Sequence, residues 1–358
     1  MDRASLFDSH PVFVAATLGP VPLLLAAAWL GGPLVWLALA AMTLFVPLMD
    51  VLVRRLPPPL EGAEFPAGTA LSVAIGAAQV LLLLSAVATL AGAGLGLDGP
   101  QAVAMFFAVG LWLGQVGNSN AHELIHRSDR RLFTLGKWLF ISLLFGHHTS
   151  AHRKIHHSYV ASDDDPNSAR LGESFPAFAL RAWQGSFLAG WEIERSLQRR
   201  AGRVSTLRHP YAEYVGGALL CLGLAWLIGG LAGLLWYVAL AVYAQMQLLL
   251  SDYVQHYGLE RREVAPGRLE PVGPAHSWNA PHVWSGAMML NAPRHSDHHA
   301  NPARPWPELR IGGPEEVPTL PRSLPVMAII AFWPPAWFRL MDRRAKAWNA
   351  RTRERAAA

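Results

Sequence analysis

Residues 210–256 read PYAEYVGGALLCLGLAWLIGGLAGLLWYVALAVYAQMQLLLSDYVQH. Two apolar runs, 212–229 and 231–252, meet at Gly229-Gly230 with no polar linker between them. A membrane span needs ~20 apolar residues, and glycines are tolerated inside packed membrane helices. Each run can therefore cross a bilayer once. Four more runs have the same character: 11–30, 33–53, 69–91 and 101–120. The chain reads as an all-α membrane protein with six transmembrane helices. Two shorter runs, 132–147 and 324–338, contain Lys137 and Pro334-Pro335. Both read as interfacial or re-entrant segments.

The composition points the same way. Hydrophobic residues make up 52% of the 358 residues and charged residues 15%, against about 25% charged in a soluble domain. The net charge of +5 is spread near apolar segments, so no basic stripe for nucleic acid exists. The one cysteine, Cys221, lies in an apolar run. An iron–sulfur or rubredoxin-like electron carrier would have to be another protein. Asp8 and Pro11 precede the first run and a second follows at once, so it reads as a membrane helix and not a cleaved signal.

Sidedness follows from the loops. Gly31-Gly32, Leu97-Asp98-Gly99-Pro100 and Gly229-Gly230 carry no Lys or Arg. All the cations fall on the alternate set: Arg3, Arg54 and Arg55, then Arg127 to Arg208, then Arg261 onward. The positive-inside rule places that side, with both termini, in the cytoplasm. One membrane domain over residues 1–358 is expected, with cytoplasmic histidine-rich inserts at 121–211 and 253–358 capping the bundle. Pro57-Pro58-Pro59 reads as a stiff connector.

Most of the 15 histidines are clustered. His122 and His126 are spaced H-x3-H. His152, His156 and His157 read H-x3-HH, and His295, His298 and His299 read H-x2-HH. On an α-helix, positions i, i+3 and i+4 share a face, so each cluster can present two imidazoles to one point. At this histidine frequency about 0.6 H-x3-H pairs arise by chance, but each triplet only about 0.03 times. The two triplets together imply a metal. Six spans put all three clusters, and His256 after the last span, on one side. A structural zinc takes four ligands, so eight or nine imidazoles suit two irons better than one zinc.

Two motifs compete with this reading. His-Glu-Leu-Ile-His at 122–126 matches the H-E-x-x-H of zinc proteases, but an intramembrane zinc metalloprotease leaves both triplets unexplained. Gly94, Gly96 and Gly99 spell G-x-G-x-x-G without the strand and acidic residue that a nucleotide site needs.

Several stretches belong together: His-Glu-Leu-Ile-His-Arg at 122–127, the His152/His156/His157 box followed by Asp165-Pro166 and Arg170-Leu-Gly-Glu-Ser174, His256-Tyr-Gly-Leu, His276-Ser-Trp-Asn279, and Arg294-His-Ser-Asp-His-His-Ala300. In these the chain resembles the integral-membrane alkane 1-monooxygenases, within the wider histidine-box group of membrane desaturases and hydroxylases, over nearly its whole length. The resemblance implies nine ligands to two non-haem iron ions: His122, His126, His152, His156, His157, His256, His295, His298 and His299. It implies O2 as co-substrate and electrons from a separate rubredoxin or ferredoxin with its reductase. It further implies an apolar substrate taken from the lipid bilayer, hydroxylation of a terminal methyl to a primary alcohol, and a bacterial-type inner membrane. Met42 aligns with the wall of the family's substrate tunnel.

Two positions depart from that family. Ala151 and Gln255 stand where it usually has Glu, and in this they are similar to the xylene-type methyl hydroxylases. A methyl hydroxylase of alkyl-aromatics is therefore the alternative, with a fatty-acyl desaturase or hydroxylase beside it. Asn118 lies one helical turn before His122 and is expected to line the cavity floor. His147, His276 and His282 are expected as donors behind the ligands. His148 has no expected role.

Overall fold

The computed structural model describes residues 11–53, 68–202, 204–313 and 315–357. Arg3, Arg54, Arg55 and Pro57-Pro58-Pro59 lie outside the described residues. The described chain is helical apart from a short antiparallel hairpin, Glu263–Ala265 with Arg268–Leu269, and irregular connections. Among the described residues four helices are long and apolar enough to cross a membrane: Pro11–Leu30, Thr69–Leu90, Gly99–Ile125 and Pro210–His256. Pro33–Thr43 and Phe45–Leu52, bent by 45°, make a fifth if taken as one span.

The segment Pro210–His256 is 47 residues long. A straight helix of that length would reach about 70 Å, more than twice the ~30 Å hydrocarbon layer. It is broken where the sequence places two spans end to end. Gly229 (φ −139°, ψ 17°) and Gly230 (φ 58°, ψ −142°) leave helical geometry. The Gly230 backbone is open to glycine because it has no Cβ. A Cβ on Gly229 would lie 2.4 Å from Cβ of Ala91, just past the end of Thr69–Leu90.

Other breaks have equally local causes. Pro20 cannot donate a backbone N–H, and helical geometry is interrupted between Thr17 and Pro20. The indole Nε1 of Trp112 donates to the Thr17 carbonyl at 2.8 Å. The run expected at 101–120 continues to Ile125 through a π-helical turn at Leu113–Gly117. Two of its polar side chains tie it to neighbouring helices: Asn118 Nδ2 donates to Ala244 O at 2.8 Å, and Asn120 Nδ2 to Ser72 O at 2.9 Å. This extension carries His122 beyond the apolar run.

Neither weak run forms a long helix. Arg130–Ser142 has 13 residues, about 20 Å of helix. Its C-terminal carbonyls, which have no helical partner, are taken by three side chains from two long helices. Gln79 Nε2 donates to Leu139 O at 3.1 Å, Tyr237 OH to Ser142 O at 2.8 Å, and Gln245 Nε2 to Leu143 O at 2.7 Å. The other run is helical only over Leu324–Ala331 before the chain restarts as Pro334–Ala357. One apolar core fills the bundle. A second, built on Phe140, Phe178, Tyr253, Tyr257 and Trp337, lies around the histidines. Leu219, Leu227, Leu231 and Leu235 are exposed, as lipid-facing positions are.

Gly229→Val should force Ala91 away and destabilise the fold by about 1–3 kcal/mol, the usual cost of overpacking. A lower unfolding midpoint in detergent, relative to the same change at the open Gly223, is the expected result.

Candidate metal centre

Four separate segments bring the histidines together. His122 and His126 sit at the end of Gly99–Ile125, and His256 ends Pro210–His256. His152–His156 form a second π-helical turn, followed at once by His157. His295, His298 and His299 lie on the short helix His295–Ala300.

All nine expected histidines converge, in two groups. His122, His126, His152, His157 and His298 make one, and His156, His256, His295 and His299 the other. Within each group one ring nitrogen per residue lies within 4.8 Å of all the others. Each sequence cluster presents two imidazoles to one group, and each triplet sends its third to the other. His152 shares its group with His157, five positions on, while His156 joins the other. The π turn is the physical reason, since its wider turn replaces the i, i+4 repeat. In the third cluster His295 and His299 share a face of one α-helical turn, and His298 points to the first group.

The nitrogens face each other closely. Nε2 of His152 is 2.7 Å from that of His122 and 3.0 Å from that of His157, and His298 Nε2 is 3.1 Å from His157. In the second group His295 Nε2 is 3.0 Å from His256 and 3.2 Å from His299. Hydrogen bonding does not account for the convergence. Nε2 of His126 and of His156, one in each group, are buried without any partner. A metal bound at ~2.0–2.1 Å needs donor nitrogens no more than about 4.2 Å apart, a few tenths closer than the outer separation here. The residues fit such an ion. Burial first, then neighbouring imidazoles, hold His152, His157, His295, His298 and His299 well below the ordinary histidine range. They are neutral at pH 7, as ligation requires.

His156 differs. Burial lowers its pKa, but the Asp165 carboxylate, with Asp252 behind it, outweighs burial and raises it. Asp165 Oδ2 is 2.8 Å from His156 Nδ1 and also accepts from Ser168 Oγ at 2.7 Å. Asn167 Nδ2 links the pair to Asp252 Oδ2 at 2.7 Å. A carboxylate on the outer nitrogen fixes an imidazole's tautomer and aim. From sequence, Asp165 has no role beyond its place in a matching stretch, and Asp252 has none. The available signals were an acidic residue nine positions after His156 and another one turn before His256. Ala151 offers no such group, and His152 Nδ1 is buried and unpaired.

The other expected residues are dispersed. His276 serves by its backbone: its carbonyl lies 3.3 Å from His256 Nδ1, while its ring meets Gly273 N and Glu270. The His147 ring packs between Phe145 and Phe187. His282 lines a separate recess with Asp50 and Arg322. His148 is buried and stacks on His152, with ring centroids 4.9 Å apart. Glu123 turns from its flanking histidines. It pairs with Arg127 at 2.8 Å and accepts from Trp306 N at 3.3 Å, which argues against a protease base.

Against the histidines lies an apolar cavity of about 450 Å³. Met42, Leu111, Ile329 and Phe332 wall it, and Asn118, His122, His152 and His295 line it too. Ile329 and Phe332 are also exposed on the outside. Asn118 therefore both lines the cavity and ties two helices.

A helical bundle long and apolar enough for a bilayer, with buried imidazoles gathered at one end beside an apolar cavity, defines a membrane protein with a candidate metal site. A fatty acid desaturase family profile matches residues 98–331, and the chain belongs to that family. Over 259 residues it is 36% identical to Alkane 1-monooxygenase 1 of Alcanivorax borkumensis, covering 70% of this chain and 62% of that protein. Over 328 residues it is 30% identical to Alkane 1-monooxygenase 2 of Pseudomonas aeruginosa, covering 88% and 85%. A further relative is the Xylene/toluene monooxygenase hydroxylase component XylM of Pseudomonas putida, 29% identical over 239 residues, 64% of this chain and 61% of that one.

Asp165→Ala should lower metal affinity about 10- to 100-fold, the usual cost of losing a partner behind a ligand. Metal content after dialysis against a graded chelator is the measurement.

Proposed function

We propose that this chain is a membrane monooxygenase that hydroxylates the terminal methyl of an alkane, R–CH3 + O2 + 2 e⁻ + 2 H⁺ → R–CH2OH + H2O. The observation that carries the reading is the apolar cavity lined by imidazoles of both groups. Relatives named alkane 1-monooxygenase support the substrate class. The proposed cofactors are two non-haem irons, one held by the five-histidine group and one by the four; when bound they supply the activation of O2. The chain itself supplies binding and orientation. Met42 and Leu111 hold the alkyl chain by contact alone, and the exposed Ile329 and Phe332 mark the side from which a substrate dissolved in lipid enters. Burial of the histidine layer keeps bulk water from the reacting methyl.

The proposal includes one six-span domain over residues 1–358, with the histidine end in the cytoplasm at a bacterial-type inner membrane. The break at Gly229 and Gly230 supports counting Pro210–His256 as two spans, and the distribution of Lys and Arg supports the sidedness. Electrons come from a separate rubredoxin or ferredoxin and its reductase, since Cys221 alone cannot hold a cluster. A second reading has a specific observation behind it. Ala151 and Gln255, together with the xylene/toluene relative, favour methyl hydroxylation of alkyl-aromatics.

The test is co-expression with a rubredoxin and its reductase, with alkanes of several lengths and alkyl-aromatics supplied and products read by mass. O2-dependent formation of a 1-alkanol is the expected outcome. Oxidation of toluene-type methyls without any alkane product selects the second reading. His298→Ala should lose iron and activity together; two irons per chain retained in that variant would overturn the ligand assignment.

A further inference from the structure

A second recess, of about 530 Å³, adjoins the apolar cavity. Pro47 and Val326 line both, so the two spaces adjoin at these residues. The second lining sets a few polar groups, Asp50, His282, Arg322 and Ser323, among apolar side chains. Asp50 is 8% exposed. Its Oδ1 accepts from Ser285 N at 2.9 Å and so caps the helix Val283–Met288 from a distant segment. Its Oδ2 is buried and has no partner, and the same holds for Nδ1 of His282. Burial lowers the His282 pKa; the Asp50 charge opposes that shift and the Arg322 charge adds to it. The ring is neutral and offers a donor as well as an acceptor.

A buried acceptor without a donor costs free energy that a matching ligand recovers. An alkane has no group to offer. A primary alcohol has an O–H to give and an oxygen to receive. We infer that this recess binds the hydroxyl of the alcohol product, with Asp50 Oδ2 accepting its proton and His282 donating to its oxygen. This rests on the proposed alkane hydroxylation. The apolar cavity holds substrate by contact alone, and the recess beside it gives the product, and not the substrate, a second place to go. Release is then driven by the one group the reaction creates.

The experiment measures binding without turnover. Radiolabelled 1-decanol and decane are each titrated onto the full-length, metal-loaded protein in detergent, with no electron donor present. Asp50→Asn keeps the Oδ1 cap on Ser285 and replaces the free acceptor by a donor. It should weaken 1-decanol about tenfold and leave decane unchanged. His282→Phe should do likewise by a different route, and unfolding midpoints report whether either variant is merely unstable. Unchanged 1-decanol affinity in both stable variants overturns the inference. So does decanoate binding more tightly than 1-decanol with its affinity lost in Arg322→Gln, since the recess is then a carboxylate site. Asp50-dependent binding of 1-decanol in a protein that fails to oxidise decane supports the recess and sinks the alkane reading alone.

Discussion

Nine imidazoles, six of them buried, converge at one end of the bundle, and the rest of the structure is arranged around that constraint. Burying polar groups without partners is costly, and here Nε2 of His126 and of His156 are buried with nothing to meet. Mutual hydrogen bonds do not repair this, because neither nitrogen has a partner within reach. Only a ligand common to each group removes the penalty. The helices can then be read as supports: Gly99–Ile125 and Pro210–His256 both extend past their apolar runs to deliver His122 and His256 at one end.

Two local devices sort the histidines. The π turn at His152–His156 sends neighbours in sequence to different groups. The single α-helical turn at His295–Ala300 does the same with ordinary spacing, because His298 and His299 lie on different faces. Each triplet therefore touches both groups, and the two groups cannot move apart without disrupting both segments. Asp165 then fixes His156 from behind, and the Asn167 link ties that loop to Asp252 on the long helix. The short helix Arg130–Ser142, clamped at its carbonyl end by Gln79, Tyr237 and Gln245, leads directly into the segment that carries His148 and His152.

The long apolar helices were legible because a bilayer demands length and apolarity, which composition displays directly. The break at Gly229-Gly230 was legible for the same reason as any turn: two glycines without charge between two apolar runs. The membership of the histidine layer was legible in spacing and resemblance. The partition was not, since α-helical periodicity assigns His152 and His156 to one face and nothing in H-x3-HH announces a π turn. Partners behind the ligands were hidden for a different reason. Asp165 reaches His156 through a loop closed by Ser168 and Asn167. His276 acts through its carbonyl, to which its side-chain type is irrelevant.

Ala151 and Gln255 show how far such reasoning extends. Each stands beside a ligand at a position where a carboxylate would add negative charge next to the metals. Without them the net charge of each group is set by neutral imidazoles, with Asp165 and Asp252 as the nearby acids on the four-histidine side. The five-histidine group has no carboxylate placed like Asp165, and Glu123, the nearest by sequence, is committed to Arg127. The two groups are thus unequal in charge as well as in ligand number. An ion in the four-histidine group would sit in the more negative surroundings, and one in the five-histidine group would keep more of its positive charge. Since the apolar cavity meets His122 and His152 of the latter and only His295 of the former, the more electrophilic ion would be the one served by most of the cavity-lining imidazoles of the two groups.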